Sequence, residues 1–501
     1  MLRLDTFQNR SGLWALALTI LGLLLRLFQL GEWSFWHDEA LTVLLAQKPI
    51  PELVAITAAD VHPPLYYLVV KLFLLFGQSE TLARLPSVIF GAGSIYLLYL
   101  LGRDLFEATV GLGGAFIMTI SPLQLFYAQE ARMYTQLIFL TILAGWLLFR
   151  ALRTENWIDW LLFSVVITLA AYITYFAFPV VAAMALYIIL VEKRWRSTVF
   201  FLISIAVSVL LYIPWLGIFL TQSRAVIDTY WMATPSPLLL FTTVTGFFTS
   251  YTLPTWGIAV SLVATLLIVF VTLNEIRHAI REGNRVKPLL WLLLWGLVPL
   301  LGTYLVSLIR PIFQLRTVIT AAPPFYLMVA WGVASARQRR LNMLLFLPTL
   351  AMMLISIFNF YFNPAFAKPA WRQAAFYVQS QVRPGDIVLH TSPGSLMPFL
   401  AYPHSVRHVL LPGDPELVQE NAPSQSIGVA VGGEPQPIEQ AVQGYDRAWL
   451  VVGLDQAIDY QQQQLAEIEA RYRLLEENRI TGIYIGTFAL DETGVGVEAG
   501  R

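Results

Sequence analysis

Long apolar runs separated by short charged stretches fill the chain up to about residue 364, where the pattern changes to a polar one with short apolar blocks. Stretches able to cross a hydrocarbon core about 30 Å thick fall at roughly 12–30, 82–102, 108–126, 135–152, 157–176, 178–191, 198–220, 255–274, 288–308, 317–335 and 341–361. The pattern therefore predicts about eleven transmembrane helices, with the two ends of the chain on opposite sides. The first span is long and runs into Gly31-Glu32-Trp33 rather than a small-x-small cleavage pattern, so it reads as a retained anchor and not a signal peptide.

Two segments between spans are longer than a connection needs. Residues 31–83 contain Pro49-Ile50-Pro51-Glu52 and the apolar run Leu65–Phe73, which is too short to cross and suited to lying in the membrane interface. Residues 221–254 hold Tyr230-Trp231-Met232, Pro235, Pro237 and an apolar run to Phe248, an interfacial or re-entrant pattern. Beyond residue 364 the reading is a small external α/β domain. Pro369–Val382 has helical character, Asp386–His390, Ala448–Val452 and Gly482–Gly486 are strand-like, and Tyr460–Asn478 has helical composition. Strands alternating with helices predict a mainly parallel sheet. The domains are thus expected at 1–364 and 365–501.

Composition sharpens this division. The chain is 57% hydrophobic and 13% charged over 501 residues, with a mean hydropathy of +0.64, as in polytopic membrane proteins. Net charge is zero, but residues 1–364 carry 23 Lys and Arg against 16 Asp and Glu, and the remainder carries 9 against 16. Fifteen of those 23 basic residues, including Arg103, Arg150, Arg153, Lys193, Arg194, Arg196, Arg337, Arg339 and Arg340, fall on one side of the expected spans. The positive-inside rule makes that side cytoplasmic, with the N-terminus inside and everything after about residue 362 outside. There is no cysteine, hence no disulfide or thiol chemistry. No 20-to-50-residue repeat, Gly-rich nucleotide loop or nucleic-acid-binding pattern is present.

Three charged and aromatic clusters interrupt the apolar pattern: Phe35-Trp36-His37-Asp38-Glu39-Ala40, His62-Pro63-Pro64-Leu65-Tyr66-Tyr67, and Tyr127-Ala128-Gln129-Glu130-Ala131-Arg132-Met133-Tyr134. All lie at span ends on the predicted external side. Charged groups are costly to keep near lipid, so their gathering at one face suggests chemistry on a substrate itself half in the bilayer. From the residues alone, Asp38 and Glu39 are catalytic acids or solvated acids at an aromatic belt. His62 is a ligand or a hydrogen-bonding group beside Pro63-Pro64. Glu130 and Arg132 are site residues or an ion pair closing a span. A further pair of guanidiniums, Arg310 and Arg316, stands at the expected external end of a late span.

Taken together, Trp36-His37-Asp38-Glu39-Ala40, His62–Tyr67, Arg84-Leu85-Pro86-Ser87 and Tyr127–Tyr134 resemble the dolichyl-phosphate-mannose protein mannosyltransferase-like glycosyltransferases. The likeness is to the bacterial branch described by the Rhizobium lipopolysaccharide core glycosyltransferases and related to the aminoarabinose transferases. It covers the first 140 residues. The resemblance implies a GT-C-type fold in a bacterial inner membrane, with the C-terminal domain periplasmic. It also implies a polyprenyl-phosphate-linked sugar donor and a lipid, glycan or protein hydroxyl as acceptor, attacked with inversion. Asp38 would be the general base, Glu39 its neighbour, and His62, Glu130, Arg132 and Arg316 would bind substrate or phosphate. Relatives differ in metal dependence, so a divalent ion (Mg or Mn) between Asp38 and Glu130 stays open. The family's Arg-Tyr pair at the late span is here Arg316-Thr317, which keeps the guanidinium but not the aromatic ring. Lys368-Pro369-Ala370-Trp371-Arg372 looks like the family's Trp-Arg lead into its outer domain, expected as a hinge and packing element; the domain itself is expected to cover the cavity or select the acceptor. A transporter or flippase of lipid-linked saccharides is the rival reading, and would carry paired repeats and helices broken at mid-membrane.

Overall fold

Apolar helices dominate, and a small sheet is confined to the C-terminal part. The computed structural model describes residues 2–228, 234–335, 339–412, 435–454 and 459–490. Tyr230-Trp231-Met232 and Arg337 lie outside the described residues. Eight described helices are long and apolar enough to span: Arg10–Leu27, Glu80–Leu105, Tyr134–Thr154, Tyr175–Glu192, Trp195–Arg224, Thr255–Arg281, Val286–Ser307 and Arg339–Phe362. A ninth is broken, Ala108–Thr119 and Pro122–Ala128 meeting at 58°. The remaining two expected spans are the shorter apolar helices Trp157–Ile173 and Ile319–Ala334.

The chain divides into two compact units. One comprises Met1–Phe28, Arg84–Thr221 and Tyr230–Phe366; the other comprises Gln29–Ala83, Gln222–Thr229 and Ala367–Arg501. In the first, the break at residues 120–121 has clear local causes. Pro122 occupies the first turn of the second piece and Ser121 Oγ accepts from Gln124 N–H, a helix start. The carbonyls orphaned at the end of the first piece are met by Arg26. That guanidinium is fully buried and donates to Met118 O at 3.2 Å, Thr119 O at 3.5 Å and Gly22 O in its own helix at 3.0 Å. Glycine lets the broken span approach its neighbour: a Cβ on Gly111 would lie 2.4 Å from Tyr99 O in the helix Glu80–Leu105.

The run expected to be interfacial or re-entrant is the helix Pro237–Thr249, ended by Ser250 at φ +57°. Side chains of the helix Arg339–Phe362 satisfy its last turn and the turn beyond. Ser356 Oγ donates to Thr249 O at 2.5 Å, and Asn359 Nδ2 to Thr252 O at 2.9 Å.

The second unit contains three short helices, His37–Gln47, Ile50–Ala59 and Leu65–Leu74, packed through Leu41, Leu45, Leu53 and Tyr67. Lys71 Nζ donates to Ala46 O and Lys48 O, capping the first of them from the third. Its other body is a five-stranded sheet of β1 (Asp386–His390), β2 (Arg407–Leu410), β3 (Arg447–Gly453), β4 (Arg473–Ile480) and β5 (Ile483–Ala489), in the order β2-β1-β3-β5-β4. Ile387, Leu389, Leu450, Val452 and Phe488 form its core with Ile438 and Ile468 from flanking helices. Asp386 and Arg447 face each other across β1 and β3, 2.6 Å apart. Burial opposes ionisation of Asp386, yet bonds from Arg447, Trp449 and the Arg383 N–H hold its carboxyl below the usual range.

Two expectations are corrected here. The sheet is mixed: β2, β1 and β3 pair in parallel, whereas β5 pairs antiparallel with both β3 and β4. The helix expected over Tyr460–Asn478 ends at Arg471, because Arg473–Ile480 forms β4. Leu474-Leu475-Glu476-Glu477 suits a helix locally, but Thr481-Gly482 closes a two-residue hairpin in which Gly482 adopts φ +75°, and pairing with β5 overrides local preference.

A histidine pair in this domain gives a pH dependence. His390, fully buried on β1, meets His408 on β2 with Nε2 to Nδ1 at 2.9 Å, and its Nδ1 lies 3.3 Å from Ser395 Oγ. Removal from water and the His408 charge push His390 well below the usual 6.5; the same burial, aided by His404, pushes His408 down to about 3. The unfolded chain therefore binds more protons than the folded one below pH 6.5, and stability falls as pH drops from 6.5 towards 3. The thermal midpoint of the full chain, followed by tryptophan fluorescence, should fall over this window, and His390→Gln/His408→Gln should flatten the slope. Equal slopes in both proteins would remove the pair as the cause.

Candidate active site

The candidate residues divide between the two units. Asp38, Glu39 and His62 belong to the unit containing the sheet, and Glu130, Arg132 and Arg316 to the helical one.

In the first group, the chain is extended at Trp36 and turns into the helix His37–Gln47, so Asp38 and Glu39 occupy its first turn, where the helix dipole favours carboxylates. Thr42 Oγ1 donates to Asp38 O at 2.9 Å and ties down that turn. The adjacent acids differ in access: Glu39 is fully buried, whereas Asp38 is only partly so. Asp38 is therefore the more accessible acid of the two. His62 is also partly exposed, in the connection between the second and third short helices, and is followed by the buried Pro63 and Pro64.

In the second group, Tyr127–Tyr134 follows the break in the third span. Arg132 N–H donates to Glu130 O at 2.8 Å in a tight turn, and both side chains are buried. Ser87 Oγ donates to Arg132 O at 3.1 Å, joining this turn to the Arg84-Leu85-Pro86-Ser87 motif, while Gln129 Nε2 reaches Arg26 O and Phe28 O. Arg316 lies in the turn after Gln314, stapled by Thr317, whose Oγ1 donates to Gln314 O and accepts from Gln314 N–H. Thr317 thus makes a turn where the family pattern has an aromatic ring. Leu315 packs on Gly246 of the short helix, since a Cβ there would sit 2.9 Å from Leu315 Cδ2.

Tyr251, which the sequence reading did not single out, joins these parts. It stands just beyond the short helix, half exposed, with its hydroxyl 3.1 Å from that of Tyr127, whose ring meets Tyr134 edge-on at 4.7 Å. Its phenol is pushed up to about 12, first by removal from water; the Tyr127 hydrogen bond and the Arg316 charge pull it down, and the Glu130 charge raises it. Arg316 and Glu130 therefore both act on one hydroxyl. The signal available in the sequence was the polar break Thr249-Ser250-Tyr251-Thr252 after an apolar run.

Among the described residues no group of three or more His, Asp or Glu side chains is placed to hold a metal ion. No step below is routed through one.

Comparisons with known proteins agree with this architecture. Residues 61–218 match the family described as dolichyl-phosphate-mannose-protein mannosyltransferase. YkcB of Bacillus subtilis (strain 168), which carries a mannosyltransferase name, is 35% identical over 101 residues, a match spanning 20% of this chain and 14% of that protein. ArnT from Cupriavidus metallidurans superposes with a TM-score of 0.62 at 12% identity in its apo state, covering 95% of this chain and 97% of ArnT. The same protein bound to undecaprenyl phosphate gives 0.62 at 11%, over 96% and 99%. An Archaeoglobus fulgidus oligosaccharyltransferase, in complex with an inhibitory peptide and a dolichol-phosphate, gives 0.50 at 12%, over 96% of this chain and 75% of that one. With its broken third span, apolar helices and C-terminal sheet, the chain shares the overall fold of these solved structures, and residues 61–218 carry the likeness to the mannosyltransferase family.

Proposed function

We propose that this chain is a glycosyltransferase of the bacterial inner membrane. It takes a sugar from a polyprenyl-phosphate carrier on the external face and transfers it, with inversion, to a hydroxyl of a lipid, glycan or protein. The observation that carries this reading is a partly exposed acid, Asp38, at the start of a helix in the first of the motifs that resemble the family, in a chain whose fold matches ArnT. Solved relatives that bind undecaprenyl phosphate and dolichol-phosphate support the kind of donor.

In this mechanism Asp38 accepts the proton of the acceptor hydroxyl as its oxygen attacks the anomeric carbon. The bond from that carbon to the phosphate oxygen breaks, and its electron pair leaves on polyprenyl phosphate. Arg316, with Arg132, stabilises the added negative charge, the guanidinium fork suiting two phosphate oxygens. His62 and Glu130 orient the substrates. The one-sided basic loops support an N-terminus in the cytoplasm and a C-terminal domain outside, where a lipid-linked donor and not a nucleotide sugar is at hand.

Flippase activity is the competing reading, and the 58° break in one span is the observation that favours it. The test of the donor is direct. Purified protein given labelled hexose on polyprenyl phosphate should pass label to hydroxyl acceptors, and the same hexose on a nucleoside diphosphate should pass none. Transfer from the nucleotide sugar alone would reject the reading.

A further inference from the structure

The residues leading to Asp38 are held by the C-terminal segment of their own unit almost one by one. Arg372 donates from Nη1 to Gly31 O at 2.9 Å and from Nη2 to Glu32 O at 2.9 Å. Its backbone N–H donates to Ser34 Oγ at 3.0 Å, and Ser34 Oγ in turn donates to Gln373 Oε1. Phe35 N–H donates to Tyr402 Oη at 2.9 Å, and the two rings stack 5.9 Å apart. The Lys368 ammonium lies 5.9 Å from the centre of the Trp36 ring, and His37 Nδ1 donates to Pro393 O at 3.2 Å. Asp38 comes next.

Glu80 closes the circuit. Its carboxylate accepts from Tyr402 Oη at 2.8 Å and from Arg372 at 3.1 Å, and Ser34, Phe35, Glu80 and Tyr402 are all buried. A chain of hydrogen bonds, buried at Phe35, Tyr402 and Glu80, runs on to the partly exposed Arg372 and Gly31 O, and such networks fix one geometry. Packing alone would not need a guanidinium on two consecutive carbonyls, whereas holding the direction of a strand that enters a helix does.

The geometry points to Arg372, Tyr402 and Glu80 as positioning residues for Asp38, so that the C-terminal domain, through Arg372 and Tyr402, aims the general base. This inference rests on Asp38 being the base. A base displaced by about 1 Å can lose about a hundredfold in rate, and removing one link of several should cost part of that.

Tyr402→Phe keeps the ring stacking and deletes only the hydroxyl. Turnover of the purified full chain with a polyprenyl-phosphate-linked hexose should fall about tenfold, a part of that loss, with the donor KM unchanged. In an Asp38→Asn background the same substitution should cost nothing more, because the group it aims is gone. Arg372→Lys, which keeps the charge on Glu80 but cannot bridge two carbonyls, should behave likewise and serves if Tyr402→Phe does not fold. Unchanged turnover per folded molecule, or a loss that persists in full in the Asp38→Asn background, would overturn the inference and leave the proposed reaction standing. Near-normal turnover for Asp38→Asn alone would instead remove the general-base reading and this inference with it.

Discussion

Asp38→Asn is expected to lower turnover about 10²–10⁴-fold, the usual worth of a general base, while donor affinity changes far less. An attacking hydroxyl must lose its proton as the anomeric carbon is reached, and a chain with no cysteine and six histidines leaves this work mainly to a carboxylate. Asp38 stands on the first turn of a helix, partly exposed, beside a fully buried Glu39. The amide of Asn keeps the shape and removes the basicity. Glu39→Gln should cost less turnover, since a buried neighbour supports the turn rather than meeting the acceptor. The comparison uses folded, purified variants, and near-normal turnover for Asp38→Asn would move the base to Glu39 or Glu130.

Arg316→Ala is the second large effect. Hydrogen bonds to a charged group contribute about 1.5–3 kcal/mol, so donor use measured as kcat/KM should fall about 10–150-fold. Arg316→Lys should restore only part of this, because a point charge cannot engage two phosphate oxygens as a planar fork does. Arg316 sits on a turn fixed by Thr317 and Leu315, and its charge pulls the Tyr251 phenol down, so its loss should let that phenol rise. Unchanged kinetics in folded Arg316→Ala would remove it from the donor site.

Hydrophobic periodicity made most of the helical fold legible, because an apolar run of spanning length has few alternatives. Even the two shorter runs, Trp157–Ile173 and Ile319–Ala334, form helices where spans were expected. The break at Ser121-Pro122 falls inside the run 108–126 that reads as one span, and its cap is not local: Arg26 lies 92 residues from Met118 in the chain, and only packing joins them. Leu474–Ile480 misled because helical composition was read without the hairpin turn that follows it.

The site was legible to the extent that it was local. Asp38-Glu39 and Glu130-Ala131-Arg132 stand out as charged islands in an oily chain. Tyr251 did not, since one tyrosine among 21 carries no signal until Tyr127 is placed beside it. Glu80 and Tyr402 were invisible for the same reason, being 322 residues apart. Trp371-Arg372 reads in the sequence as a hinge and packing element; that its guanidinium holds Gly31 and Glu32 required the fold.

The central claim, that a sugar leaves a polyprenyl-phosphate carrier here, is tested most directly by following the carrier. Wild-type protein in vesicles holding a labelled polyprenyl-phosphate hexose, supplied with a mixed pool of lipid, glycan and peptide hydroxyls, should release free polyprenyl phosphate one-for-one with glycosylated product. The Asp38→Asn protein should release almost none. Donor that changes leaflet with its sugar–phosphate bond intact, and no free carrier, would contradict the claim and identify a flippase.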